Sequence, residues 1–83
     1  MNTYTVSDLT PEELARFAYH PATPQTGPLH DEMRAAARAY AEAIARLTPP
    51  GRHRALALTA AQEAMMWANA AIAIDTARAA AAQ

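Results

Sequence analysis

Apolar residues recur along the chain in three stretches of helical spacing, separated by two proline-bearing breaks. The first stretch opens with "LTPEEL", where Thr10 serves as N-cap, Pro11 takes the first helical position and Glu13 completes a capping box. Leu9 and Leu14 stand where a hydrophobic staple would cross that start. A helix over about 10–19 follows, with Leu14, Phe17 and Ala18 on one side. It stops because His20 precedes Pro21, and the residue before a proline avoids helical angles. Three prolines and a glycine in "HPATPQTGP" then predict a loop over 20–28.

A second helix is predicted over about 29–47, with Leu29, Met33, Ala37, Tyr40, Ile44 and Leu47 at spacings of three and four. Arg38, Glu42 and Arg46 follow at four-residue steps on its other side, a solvated face with mild ion-pair support. "TPPG" at Thr48 to Gly51 is a short hinge, so the third helix, about 52–80, should fold back antiparallel on the second. The reading is a single all-α domain over 1–83: a small antiparallel helical hairpin with a short N-terminal helix, assembling through a long apolar C-terminal helix.

That assembly rests on the run "AMMWANAAIAI", Ala64 to Ile74, in which Asn69 is the only polar side chain. Leu58, Ala61, Met65, Ala68 and Ile72 form one stripe, and Leu56, Glu63, Trp67, Ala70 and Ile74 a second on a neighbouring side. One stripe can pack on the second helix; the other needs another copy of the chain, because a helix apolar all round is buried all round. Met65, Met66, Trp67, Asn69, Ile72 and Ile74 are therefore the candidate oligomer interface. Asn69 there is either a buried amide in need of a partner or an ordinary exposed one.

Composition narrows the chemistry. Eighty-three residues bury a smaller share of their surface than a larger chain does, and with no cysteine the core has neither disulfides nor thiolate metal sites. The start "MNTYTVSDL" has no basic and apolar leader, and the apolar run is too short to span a bilayer, so a cytoplasmic protein without a membrane partner is expected. A formal net charge of -1 gives no field for DNA or RNA polymers. His20, His30 and His53 form no HxxxH or HExxH pair, so no metal or other cofactor is implied. There is no phosphate loop, nucleophile elbow or isolated carboxylate pair, hence no candidate catalytic residue.

The junction "FAYHPATPQTG" offers something else: an aromatic ring, a histidine and prolines at a helix end, before a helix bearing Arg34 and Arg38. Aromatic faces stack nucleobases and arginine forks grip phosphates, which suits a small nucleotide. The plainer alternative packs Tyr19 over the hinge and pairs Arg34 with Asp31 or Glu32.

The string "FAYHP" from Phe17 to Pro21, Arg34 early in the second helix, and "TPPGRHRALALTAAQEAMMWANAAIA" from Thr48 to Ala73 resemble a phage anti-CBASS family, sponges for the cyclic oligonucleotide messengers of bacterial antiphage signalling. The resemblance implies a homohexamer in the cytoplasm of the infected bacterium that holds cyclic dinucleotides such as 3′,3′-cGAMP between subunits and releases them intact. By that resemblance Tyr19 stacks on a base, Arg34 faces phosphate, His20 and Pro21 belong to the same motif, and Arg38 is a neighbour one turn on. It also implies a second site for cyclic trinucleotides, where family members carry an arginine after "IA". This chain has Ile74 and then Asp75 there, with Arg78 one turn later as the candidate substitute. The competing class is a helical homo-oligomeric assembly or adaptor protein with no small-molecule ligand.

Overall fold

The computed structural model describes residues 9–76 and 79. The described elements are all helical: α1 (Pro11–Ala15), α2 (Gly27–Leu47), α3 (Arg52–Ala70) and a π-helical segment, Ala71–Thr76, that continues α3.

α1 begins as the sequence dictates. The Glu13 amide donates to the Thr10 hydroxyl at 3.1 Å and the Thr10 amide donates to the Glu13 carboxylate at 2.9 Å, so two otherwise orphaned donors are satisfied reciprocally. Its end comes earlier than the expected 10–19. After Ala15 the backbone tightens into three-residue bonds, Phe17 N to Leu14 O at 3.1 Å and Ala18 N to Ala15 O at 3.3 Å. The His20 ring Nε2–H then donates to the Ala15 carbonyl at 2.7 Å. A side chain thus takes the place of the next helical turn and turns the chain out toward Pro21.

α2 starts before the expected residue 29, behind a turn at "TPQT" whose two threonines bond each other in the manner of a capping box, while the Thr26 side chain itself bonds no amide of the helix. The Thr26 amide donates to the Thr23 hydroxyl at 3.0 Å, the Thr23 amide donates to the Thr26 hydroxyl at 2.8 Å, and the two hydroxyls bond each other at 3.0 Å. Thr26 is the buried polar residue of the described chain, 6% exposed. Pro28 costs nothing in the first turn, where its missing N–H has no partner to lose.

Thr48 closes α2 with both its amide, at 3.1 Å, and its hydroxyl, at 2.6 Å, donating to the Ile44 carbonyl. Gly51, at φ 157° and ψ −175°, occupies backbone space that side-chain-bearing residues rarely enter and starts α3 in the reverse direction. The antiparallel register is fixed at the far end by the His30 Nδ1–H, which donates to Asn69 Oδ1 at 2.8 Å.

The inward face of α2 is rotated from the predicted stripe. His30, Met33, Ala37, Ala41 and Ile44, with Gly27 and Ala43, are the buried or half-buried positions, whereas Leu29, Tyr40 and Leu47 are exposed. Alanines at 37 and 41 take half-buried positions toward α3, and the larger side chains flanking them are left outside the seam. On α3 the stripe Leu58, Ala61, Met65, Ala68 and Ile72 is half-buried as predicted, and Leu56 and Trp67 of the second stripe stand exposed.

The third helix, expected over about 52–80, is α-helical to Ala70 and π-helical to Thr76; a long apolar C-terminal helix is not shown, and residues 77, 78 and 80 lie outside the described ones. The α-helix ends at Ala70, where the Ala71 amide is shared between the Trp67 and Ala68 carbonyls, and a π-helical turn follows. α3 is also less apolar than the run from Ala64 suggests, since Arg52, His53, Arg54, Thr59, Gln62 and Glu63 lie along it before that run begins. No described helix is long and apolar enough to cross a membrane.

The fold is thin in one direction, about 16 Å along its shortest axis against 50 and 43 Å along the others. Among the described residues Ile44, 9% exposed, is the single buried apolar side chain. A fold normally buries its apolar stripe between two layers, and this hairpin has one.

Candidate ligand-binding site

Tyr19 stands between two pinned segments. His20 next to it is tied to α1 through the Ala15 carbonyl, and four residues beyond, the paired threonines fix the entry to α2. The ring itself is 88% exposed. An aromatic side chain held by its backbone and left bare is available for stacking. Pro21 is exposed in the same link.

Arg34 and Arg38 sit one turn apart on α2 and both line a groove between α2 and α3 of about 300 Å³. Its floor is Ala37, Ala41, Leu58, Ala61 and Met65, and Gln62 adds a polar group from α3. Arg34 Nη2 is 2.5 Å from Asp31 Oδ1, as the plainer sequence alternative expected, and Arg38 Nε is 3.9 Å from Glu42 Oε2. All four side chains of these pairs are more than half exposed, so the pairs orient the guanidiniums without adding much stability. Each contact engages one nitrogen of an arginine with five N–H donors, which leaves most of each fork free for an anion.

Tyr19 does not line the groove that holds Arg34 and Arg38. Within one chain the two matched groups are therefore not brought into one cavity.

A second groove, about 280 Å³, runs between α1 and the end of α3 and is lined by Glu12, Arg16, Trp67, Ala70, Ala71, Ile74 and Asp75. Asp75 does lie in a concave place, and its basic neighbour there is Arg16. Arg16 Nη2 is 3.9 Å from Glu12 Oε1. Arg78 lies outside the described residues. The sequence pattern gave no signal for Arg16, since nothing local to "ELARF" shows that α1 folds over the last turns of the hairpin.

The remaining candidate residues divide between the two sides of α3. Met65 faces the arginine groove, and Ile72 lines a shallow one with Leu29, Glu32, Met33 and Ala36 of α2. Met66 and Trp67 are exposed, and the indole N–H reaches Glu63 only at 3.5 Å. Asn69 has its amide oxygen taken by His30 of the same chain.

Electrostatics add one clear case. The Thr10 backbone and side-chain hydrogen bonds, with Arg16 nearby, hold the Glu13 carboxyl below its ordinary value of 4.5. The three histidines lie apart, on Ala15, on Asn69 and at the start of α3, and among the described residues no three His, Asp or Glu side chains gather around a metal-sized space.

Searches of curated proteins and of solved structures gave no match. A scan of protein families matches residues 11–73 to the Acb2/Tad1 hairpin domain. That span takes in α1, the Tyr19 link, both arms of the hairpin and the whole "MWANAAIA" segment; the chain belongs to the Acb2/Tad1 hairpin-domain family, the anti-CBASS sponge family that these motifs resemble.

Proposed function

We propose that the protein binds cyclic oligonucleotide messengers, cyclic dinucleotides first among them, and sequesters them without cleavage, so that CBASS immunity is antagonised in the bacterial cytoplasm during phage infection. The observation that carries this reading is the pair Arg34 and Arg38 on an apolar groove, in a chain whose family match spans 11–73. Sequestration needs tight binding and no chemistry, and the available groups are suited to gripping phosphate and stacking bases.

The geometry of one chain favours a shared site. A groove of about 300 Å³ is at the lower end for a small-molecule pocket, while a cyclic dinucleotide carries two bases and two phosphates. Two copies related by a twofold axis supply two grooves and two tyrosines, with Tyr19 of one copy reaching the base over the groove of another. Self-association is supported independently by the single-layer fold and by Trp67, 70% exposed beside Met66. A homohexamer is the assembly that the family resemblance implies. A cyclic trinucleotide site is less well supported, because Asp75 and Glu12 place two carboxylates against one arginine in the second groove.

The test is calorimetric titration with a panel of cyclic di- and trinucleotides, followed by heating the complex and chromatographing what is released. Tight binding, intact release, and loss of binding in Y19A and R34A with unchanged sedimentation are the expected results. A hydrolysed product would instead mean a phosphodiesterase. The exposed Leu56, Met66 and Trp67 also favour a second reading, a homo-oligomeric assembly protein with no small ligand. It predicts no heat with any nucleotide and no effect of either substitution.

A further inference from the structure

We propose that Gln62 reads the base of the bound cyclic dinucleotide and makes this protein prefer adenine to guanine. The inference rests on the sponge reading and assigns to it a base preference.

In the groove between α2 and α3 the polar side chains are Arg34, Arg38 and Gln62, and the rest of the lining is alanine, leucine and methionine. The two arginines present donors only and carry the positive charge, so the phosphates claim them. Their existing partners, Asp31 and Glu42, hold them from the solvent side of α2 through one nitrogen each. Gln62 comes from the opposite wall on α3, is exposed, and makes no hydrogen bond to another described residue. Its amide offers one acceptor oxygen and two donor hydrogens side by side. Adenine presents the complement of that pattern, an N6 donor next to an N7 acceptor, and glutamine pairs with it bidentately. Guanine presents two acceptors, O6 and N7, on the same edge, a pattern that an arginine fork satisfies and a single amide does not. With both forks on phosphate, the base edge falls to Gln62.

The helices keep this arrangement in register. Ala61 and Met65 flank Gln62 on α3, and one turn past Met65 the Asn69 amide oxygen is held by His30, one turn before Arg34 on α2. The glutamine and the arginines therefore sit at fixed heights on facing walls.

The measurement is calorimetric titration of the full chain with cyclic di-adenylate and cyclic di-guanylate, in the natural protein and in Q62A. Alanine on an exposed helical position keeps the helix, so the variant remains folded and assembled. The natural protein should favour the adenine ligand by about fivefold to 150-fold, the range that one good bidentate base contact gives. Q62A should lose affinity for cyclic di-adenylate, keep its affinity for cyclic di-guanylate, and bind the two nearly equally. Equal affinities in the natural protein, a guanine preference, or an undiminished adenine preference in Q62A would each overturn the assignment and leave the sponge reading standing. Binding of neither ligand by the natural protein would overturn this inference, and silence across the whole panel of cyclic di- and trinucleotides would overturn the sponge reading with it.

Discussion

Replacing Thr26 by valine removes one hydroxyl and keeps the shape, and the structure sets what that hydroxyl is worth. It accepts the Thr23 amide at 2.8 Å and bonds the Thr23 hydroxyl at 3.0 Å, while Thr23 in return accepts the Thr26 amide at 3.0 Å. Loss of a side chain from a capping box, which this pair resembles, costs about 0.5–2 kcal/mol, and a stranded donor adds its desolvation where water cannot reach it. Thr23 is exposed and Thr26 is not, so water replaces part of what T26V removes and the expected loss is about 1–2 kcal/mol. For a domain of this size each kcal/mol moves Tm by roughly 4–8 °C. The assay is thermal unfolding of T26V, T23A and the double variant at one fixed concentration, since an oligomer's Tm depends on concentration. The two substitutions break the same reciprocal set of bonds, so the double variant should lose little more than T26V alone. Additive losses, or a T26V loss below about 0.5 kcal/mol, would refute the paired-threonine turn. Because the pair ends the link that carries Tyr19, T26V should also weaken cyclic dinucleotide binding.

Arg52 opens α3 at its positive end, with no acidic residue in the first turn and only Gly51 as cap; R52E should therefore raise stability by about 1 kcal/mol, read as a higher Tm, and an unchanged or lower Tm would count against the helix-dipole argument. Glu13 has a folded pKa below its ordinary 4.5, so the contribution of its cap is present above that value and is lost as pH falls through the depressed folded value. E13Q should flatten that acid-side decline in Tm, and an identical acid profile would show that the carboxylate contributes nothing. Trp67 is the largest exposed apolar group on α3, so W67E should shift sedimentation toward the monomer; an unaltered profile would remove this side of α3 from the interface.

Most of the topology was legible because punctuation in this chain is strong. "TPEE" and "TPPG" fix a cap and a hinge, and the lengths between them leave a hairpin as the only economical arrangement. The turn at "TPQT" repeats the plan of "TPEE" with threonine in the fourth position. A rule that asks for Glu or Gln there passes over it, although a hydroxyl can accept the amide of the cap residue as a carboxylate does. The end of α1 was hidden differently, since His20 reaches back five residues to Ala15, farther than a local helix rule looks. The facing side of α2 was misjudged because spacing of three and four does not say whether large or small residues meet a partner helix. Tyr40 and Leu47 read as core by size, and they lie outside the alanine seam.

The same alanine seam limits what one chain can do by itself. Two helices that meet through small side chains bury little area, so the hydrophobic term for an isolated hairpin is weak. The large apolar groups are displaced to the outside, where Leu56, Met66 and Trp67 lie on α3 and Tyr40 and Leu47 on α2. Stability and function then draw on one event. Under the proposed assembly, copies that cover those faces supply the missing layer, close grooves over Arg34 and bring a second Tyr19 to them. A ligand held between copies binds the assembly and not the separated hairpins, so by mass action it should strengthen association by the factor by which association strengthens its own binding. Dilution of the purified protein with and without a saturating cyclic dinucleotide, followed by sedimentation, tests that reciprocity. Ligand should hold the assembly together at concentrations where the free protein dissociates, and identical dissociation curves would mean that the ligand lies within one chain.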